Sequence, residues 1–320
     1  MNQYDIDGMA VIDHRLFLRN EMNKKVIAYV FLTALLFSTM EVVLKVGGSE
    51  MDSLQLTFLR FMIGGLFLAP FAWKEKKEAR NPISFGDYLW MLFLGILCIP
   101  LSMLAFQLGI MNSNASTAAV LFSVNPLFTI LFAGVILKEK ITSRKILALI
   151  LGTGGIIFMI RPWDIQEGNS VLGVVLMLSA SLIFGLYTVA GKLRLQRIGL
   201  ITQTSISFIL GSLVLLVVMF FMKRPILDGV ADNILLVLYI GVFVTGFGYY
   251  FYFMAIRHSD ASTASMAFYI KPAIAPVFAV IFLKDILLWN TYAGIALIVV
   301  GSFITLSGKV RIRKPGDPHE

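Results

Sequence analysis

A chain of 320 residues that is 58% hydrophobic and only 14% charged, with a mean hydropathy of +0.83, has too little polar surface to cover a water-soluble core of that size. Composition alone points to a membrane protein. The net charge of +8 is spread over the polar connections between apolar runs, so it serves as an orientation signal and not as a nucleic-acid patch, while the single cysteine, Cys98, excludes an intrachain disulfide or a thiolate metal cluster.

Residues 1–24 are polar and charged, with no apolar stretch before Val26, so no cleavable signal peptide is expected and the segment reads as a cytosolic tail. Met22-Asn23-Lys24-Lys25 resembles a chain start of its own, which leaves residues 1–21 as a short extension or an upstream start. Apolar runs near the length of about 20 residues that spans a bilayer follow at 26–46, 54–73, 87–109, 115–137, 143–160, 170–191, 200–222, 233–256, 261–283 and 287–307. The expected fold is an all-α membrane protein of ten transmembrane helices. With both chain ends in the cytosol, twenty Lys and Arg residues fall on that side and five on the other, as the positive-inside rule requires. Trp73, Trp90, Trp163 and Trp289 lie at or near span ends, where interfacial anchors belong.

The run Asn114-Ala115-Ser116-Thr117-Ala118 returns as Asp260-Ala261-Ser262-Thr263-Ala264. In both copies a proline follows, Pro126 and Pro272, and then a Lys-acid pair, Lys138-Glu139 and Lys284-Asp285, all at an offset of 146. Gly95, Phe122, Phe132, Leu137 and Gly155 keep that offset with Gly241, Phe268, Phe278, Leu283 and Gly301, whereas Phe37, Lys45 and Gly64 match Phe184, Lys192 and Gly211 at 147. The chain is a duplication. Five spans per copy return the chain on the opposite side, so the second copy is expected to run through the membrane inverted.

Pro126 and Pro272 lack the N–H that a helix interior requires and are expected to loosen their helices near Phe122 and Phe268. Each sits roughly 15–17 Å along its span, close to the midplane where inverted-repeat transporters bind substrate. The alternative is a pair of packing bends with no ligand nearby. Lys271 precedes the second proline where Asn125 precedes the first. An ammonium at mid-span costs about 2.5–3.5 kcal/mol to insert, so Lys271 is expected to bind the negative part of a substrate, to change protonation during the cycle, or to pair with Glu41. Glu41, deep in the first span, is the candidate for proton coupling, against a simple helical pair with Lys45. Gln107, Asn125, Tyr187, Tyr249, Tyr252 and Tyr269 are further candidates for lining a cavity, each also suited to helix-helix hydrogen bonding; Tyr249 and Tyr252 share a face. Arg60 lies nearer a span end and is expected to snorkel in a structural role, and Gly152, Gly154, Gly155, Gly241, Gly246 and Gly248 to permit close helix approach. Pro276 adds a second break without a counterpart. The Gly185–Lys192 stretch has the wrong spacing for a phosphate loop, and His14, His258 and His319 are isolated, so neither ATP-driven transport nor a metal centre is expected.

Two five-span copies, each with an Ala-Ser-Thr-Ala entry, a mid-span proline and a terminal Lys-Glu or Lys-Asp, resemble the EamA-type members of the drug/metabolite transporter superfamily over about residues 25–307. The resemblance implies a cytosolic tail at 1–24, a first EamA repeat at 25–160, a linker at 161–169, a second repeat at 170–307 and a basic cytosolic tail at 308–320. It implies a secondary active transporter in the bacterial plasma membrane that exports amino acids, related metabolites or drugs by alternating access. The expected partners are a small-molecule substrate, the lipid bilayer and protons, with no cofactor, no metal and no nucleic acid; the oligomeric state stays open. The family often carries Glu or another polar residue where this chain has Lys271. Uniport or exchange fits the same residues, and from other classes a membrane-embedded enzyme or a non-transporting receptor stays in view.

Overall fold

The computed structural model describes residues 24–40, 43, 51–78, 82–112, 121–160, 170–274 and 289–306. Glu41, Lys45, the Asn114–Ala118 copy of the repeat, Trp163, Pro276, Lys284 and Asp285 lie outside the described residues. Among those described, every regular element is helical. Apart from the single turn Leu195–Ile198, they are in chain order α1 (24–40), α2 (Ser53–Glu78), α3 (Phe85–Met111), α4 (Leu121–Ile136), α5 (Ser143–Ile160), α6 (Val171–Leu193), α7 (Leu200–Phe221), α8 (Ile234–His258), α9 (261–274) and α10 (Trp289–Leu306). Five of these, α2, α3, α6, α7 and α8, are long and apolar enough to cross a membrane, while α4 and the 292–301 stretch of α10 are shorter apolar helices. The protein is integral to the membrane.

Two helices carry a wider turn at matching places. The π-helical stretch Leu97–Met103 of α3 absorbs Pro100, whose missing N–H an α-helix would not tolerate. In α8 the stretch is Tyr239–Phe247, with Gly246 at the position equivalent to Pro100, and Thr245 Oγ1 donates to the Ile240 carbonyl at 2.8 Å. Helix ends are closed by side chains. Asp260 accepts from Thr263 N at 2.7 Å at the start of α9, Ser170 accepts from Gly173 N at 3.0 Å at the start of α6, and the Glu75 carboxylate takes Leu200 N and Thr202 N at 3.0 and 2.8 Å at the start of α7. Gly199, at φ +96°, makes the turn into α7, and a Cβ there would strike Glu75.

Packing pairs elements of one copy with those of the other: α2 on α7 and α8, α3 on α7 and α6, α4 on α6 and α9, and α5 on α10. Glycines set the closest approaches. A Cβ on Gly95 would lie 2.3 Å from Ser207 O and 2.8 Å from Gly211 N, and one on Gly64 would lie 3.1 Å from Gly241 O. The matched pairs Gly64/Gly211 and Gly95/Gly241 thus meet crosswise, α3 with α7 and α2 with α8. Gly155 similarly admits the Gly294 carbonyl of α10, at 2.7 Å from its Cβ position. Gly154 differs from expectation: it has open space on every side within 4 Å, because it sits on the outer face of α5. Trp73 and Trp289 are exposed, at 70% and 65%, as anchors in contact with lipid headgroups would be.

Candidate functional site

Aromatic rings fill the middle of the bundle. Phe122 of α4 and Phe268 of α9, equivalent residues of the two copies, meet with centroids 5.8 Å apart. Each is flanked by the other copy's first-helix phenylalanine or its equivalent: Phe37 lies 5.7 Å from Phe268, and Phe184 lies 5.6 Å from Phe122. Phe61 and Phe208, equivalent residues of α2 and α7, meet edge to face at 4.9 Å, and Tyr249 packs on both at 5.6 and 4.9 Å. Offset and edge-to-face pairs of this kind add to the burial of their area.

The two prolines act differently. Val124 forms a turn and Pro126 stands at the start of the segment Asn125–Ile136, so the helix is interrupted there and not merely bent. The carbonyl of Phe122 that Pro126 leaves without its helical donor accepts Ser181 Oγ at 3.2 Å. In α9 the interruption falls at Met266 and the helix then continues through Pro272. The Lys271 carbonyl accepts Ser38 Oγ at 3.3 Å from α1.

Of the polar candidates, Tyr187, Tyr249 and Tyr252 come together. All three are buried against Phe184, and Cys98 of α3 belongs to the same buried cluster as Tyr187 and Tyr249. The Tyr252 hydroxyl pairs with Thr188 Oγ1 at 2.9 Å. Tyr269 stands apart: its ring covers Gly152 and its hydroxyl pairs with Thr153 at 3.0 Å in a separate cluster beneath α5 and α10. Asn125 joins α4 to α6, donating to the Ser181 carbonyl at 2.9 Å and accepting from Thr129 at 3.2 Å. Gln107 is half-buried on α3, and Lys271 is buried, at 6% exposure.

Two features went beyond the sequence reading. Arg60 does not snorkel, because its side chain is enclosed by Met40 and Phe61 and the residue is 3% exposed. A one-dimensional depth estimate misses this, since Met40 of α1 closes over the side chain. Glu139, expected only as half of a repeat marker, is the centre of an ionic cluster at one end of the bundle. It accepts Lys192 Nζ at 3.3 Å, Ala261 N at 3.1 Å and Ser262 Oγ at 2.8 Å, and Lys145 lies 3.8 Å away. Lys145 also bonds Asp260 at 3.0 Å. Burial opposes ionisation of Asp260, but Lys145, Thr263 N and Lys192 outweigh it, so its carboxyl is held below the usual range. The cluster ties the ends of α4 and α6 to the starts of α5 and α9. The start of α3 is tied to the segment after α6 the same way, with Asp87 receiving Arg194 at 3.1 Å and Arg197 at 3.0 Å.

A cavity of about 450 Å³ lies elsewhere, on the outer face of α5 and α10, lined by Phe158, Ala293, Ala296, Leu297 and Val300. It is wholly apolar, and none of the candidate residues lines it. Its chemistry is that of a lipid-facing crevice.

The model of the EamA-like transporter family matches residues 24–161 and 171–307. An uncharacterized transporter of Clostridium kluyveri is 36% identical over 89% of this chain and 94% of its own length, and the protein PagO of Salmonella typhimurium is 26% identical over 89% and 94%. A solved crystal structure shares the fold with a TM-score of 0.72 at 17% identity, covering 88% of this chain and 96% of that one. With its membrane-crossing helices and these relatives, the chain belongs to the EamA-like transporter family and is a membrane transporter of small molecules.

Proposed function

We propose that this chain is a secondary active transporter that exports small organic metabolites, amino acids or related compounds, or drugs, across a bacterial plasma membrane with both termini in the cytosol. Transport proceeds by alternating access between two inverted five-helix repeats spanning residues 25–160 and 170–307, with ten membrane crossings in all. The observation that carries this reading is the crosswise pairing of equivalent residues: Phe37 with Phe268, Phe184 with Phe122, and the glycine approaches of α3 on α7 and α2 on α8. Such exchange between copies is what a pseudo-two-fold axis produces, and five spans per copy would put that axis in the membrane plane. The substrate lies near the Phe122–Phe268 contact, with Lys271 toward its negative part, Tyr187, Tyr249 and Tyr252 around it, and Glu41 as the proton-coupling carboxylate.

The test is counterflow in proteoliposomes against a panel of amino acids, organic acids and cationic drugs, with and without a pH gradient. Uptake of one class that is accelerated by the gradient, lost in Lys271→Met and made gradient-independent in Glu41→Gln, supports the reading. Binding without counterflow would make the protein a receptor, and product formation without a gradient would make it an enzyme. Either result defeats the proposal.

A further inference from the structure

Arg60 is a charged group held where charge is costly, and its own surroundings leave it incompletely bonded. It lies seven residues into α2, roughly 10 Å from the helix start, and is 3% exposed. Among the described residues its Nη1 donates to the Met40 thioether alone, at 3.0 Å, a weak acceptor. Its Cζ lies 4.7 Å from the Phe61 ring centroid, and its Nη2 has no hydrogen-bond partner. Sequences ordinarily avoid this arrangement, because a buried guanidinium without a counter-charge is destabilising. The position equivalent to Arg60 in the second copy, 147 residues on, is Ser207, whose hydroxyl is also buried without a partner. These two residues precede Phe61 and Phe208, whose rings meet, and Tyr249, which packs on both rings, and Cys98 belong to the same buried cluster.

The geometry points to Arg60 as the anchor for the carboxylate of an amphipathic monoanionic organic acid, whose apolar or aromatic body lies against Phe61, Phe208 and Tyr249. A guanidinium fork matches a carboxylate in two parallel hydrogen bonds. The Arg60 guanidinium itself carries one positive charge, the match of one carboxylate. Met40, on a flexible unbranched chain, is a weak acceptor that a carboxylate oxygen displaces from Nη1. That the acid is cargo rests on the transport reading above; that it binds at Arg60 does not.

The test pairs acids with their neutral amides of the same shape: benzoate with benzamide, phenylacetate with phenylacetamide, and indole-3-acetate with indole-3-acetamide. Ligand-induced thermal shifts are measured on the purified full chain in detergent at pH 7, alongside counterflow in proteoliposomes. At least one acid is expected to stabilise the protein at a concentration tenfold or more below its amide. Arg60→Met is expected to abolish that preference while melting at or above the unliganded wild type, because an uncompensated charge has been removed; Arg60→Lys is expected to keep part of it. A purely structural Arg60 would instead lower the melting temperature in both variants. The proposal is overturned if acids and amides shift the wild type alike, if Arg60→Met keeps the acid preference, or if neither variant folds. Acid-selective binding that requires Arg60 in a protein without counterflow would remove the transport reading alone, and counterflow of acids unaffected by Arg60→Met would remove this site alone.

Discussion

Replacing Gly95 with alanine tests the crosswise packing directly. The added methyl would stand 2.3 Å from the Ser207 carbonyl oxygen and 2.8 Å from Gly211 N, whereas ordinary contact begins near 3.4 Å. Both obstacles are backbone, so α3 and α7 must part by roughly 1 Å. A gap of that size forfeits a quarter to a half of the dispersion energy along the seam, and overpacking of this kind costs about 1–3 kcal/mol; the upper end is expected because no rotamer change relieves it. Gly154→Ala is the internal control, since nothing lies within 4 Å of its Cβ position, and alanine there gains about 0.5–1 kcal/mol of helix preference. Thermal unfolding in detergent should separate the two variants by about 5 °C or more, with Gly95→Ala below wild type and Gly154→Ala at or above it. Gly95→Ala with Gly211→Ala should cost less than the sum of the single changes, because one separation of the helices accommodates both. If Gly95→Ala melts with Gly154→Ala, α3 and α7 are not in contact at Gly95 and the crosswise arrangement falls.

Asp260→Asn probes the ionic cluster through pH. The folded carboxyl titrates below its ordinary value of 3.8, so its contribution is fully present at neutral pH and is lost as pH falls below about 4; melting curves of wild type and variant should differ at pH 7 and converge on acidification. A difference that stayed constant down to pH 3 would refute this. Cys98 is buried, so N-ethylmaleimide should leave the native protein unlabelled at pH 7 and modify it only on unfolding; rapid labelling of the native protein would show that α3 stands away from Tyr187 and Tyr249.

Much of the framework was legible because duplication writes itself into sequence as spacing. The offset of 147 shared by Phe37 and Phe184, and of 146 shared by Phe122 and Phe268, marked residues that the fold brings into one aromatic cluster. The glycines were legible as packing positions wherever a second helix lies opposite, and not at Gly154, where none does. The place of each helix break was not, because Met266 is interrupted without a proline of its own while Pro272 continues a helix. Arg60 was misread for a related reason. Its distance from the end of α2 is a local quantity, but its burial depends on Met40 of α1 closing over it, a tertiary fact. Glu139 was visible as a conserved spacing between copies of one chain, yet its role depends on Lys192, Lys145 and the start of α9 arriving together.

The ring contacts at the centre also constrain how motion can be shared. Phe122 and Phe268 touch each other, and each leans on a ring from the other copy. In the proposed cycle the Phe37–Phe268 seam can part while the Phe184–Phe122 seam stays shut, and the reverse, with the central contact serving as a common pivot. In that proposed cycle Phe184, which also packs on Phe268 at 5.2 Å, would stay seated on one ring while it leaves the other, and a covalent cross-link between α1 and α9 should trap the carrier facing one side.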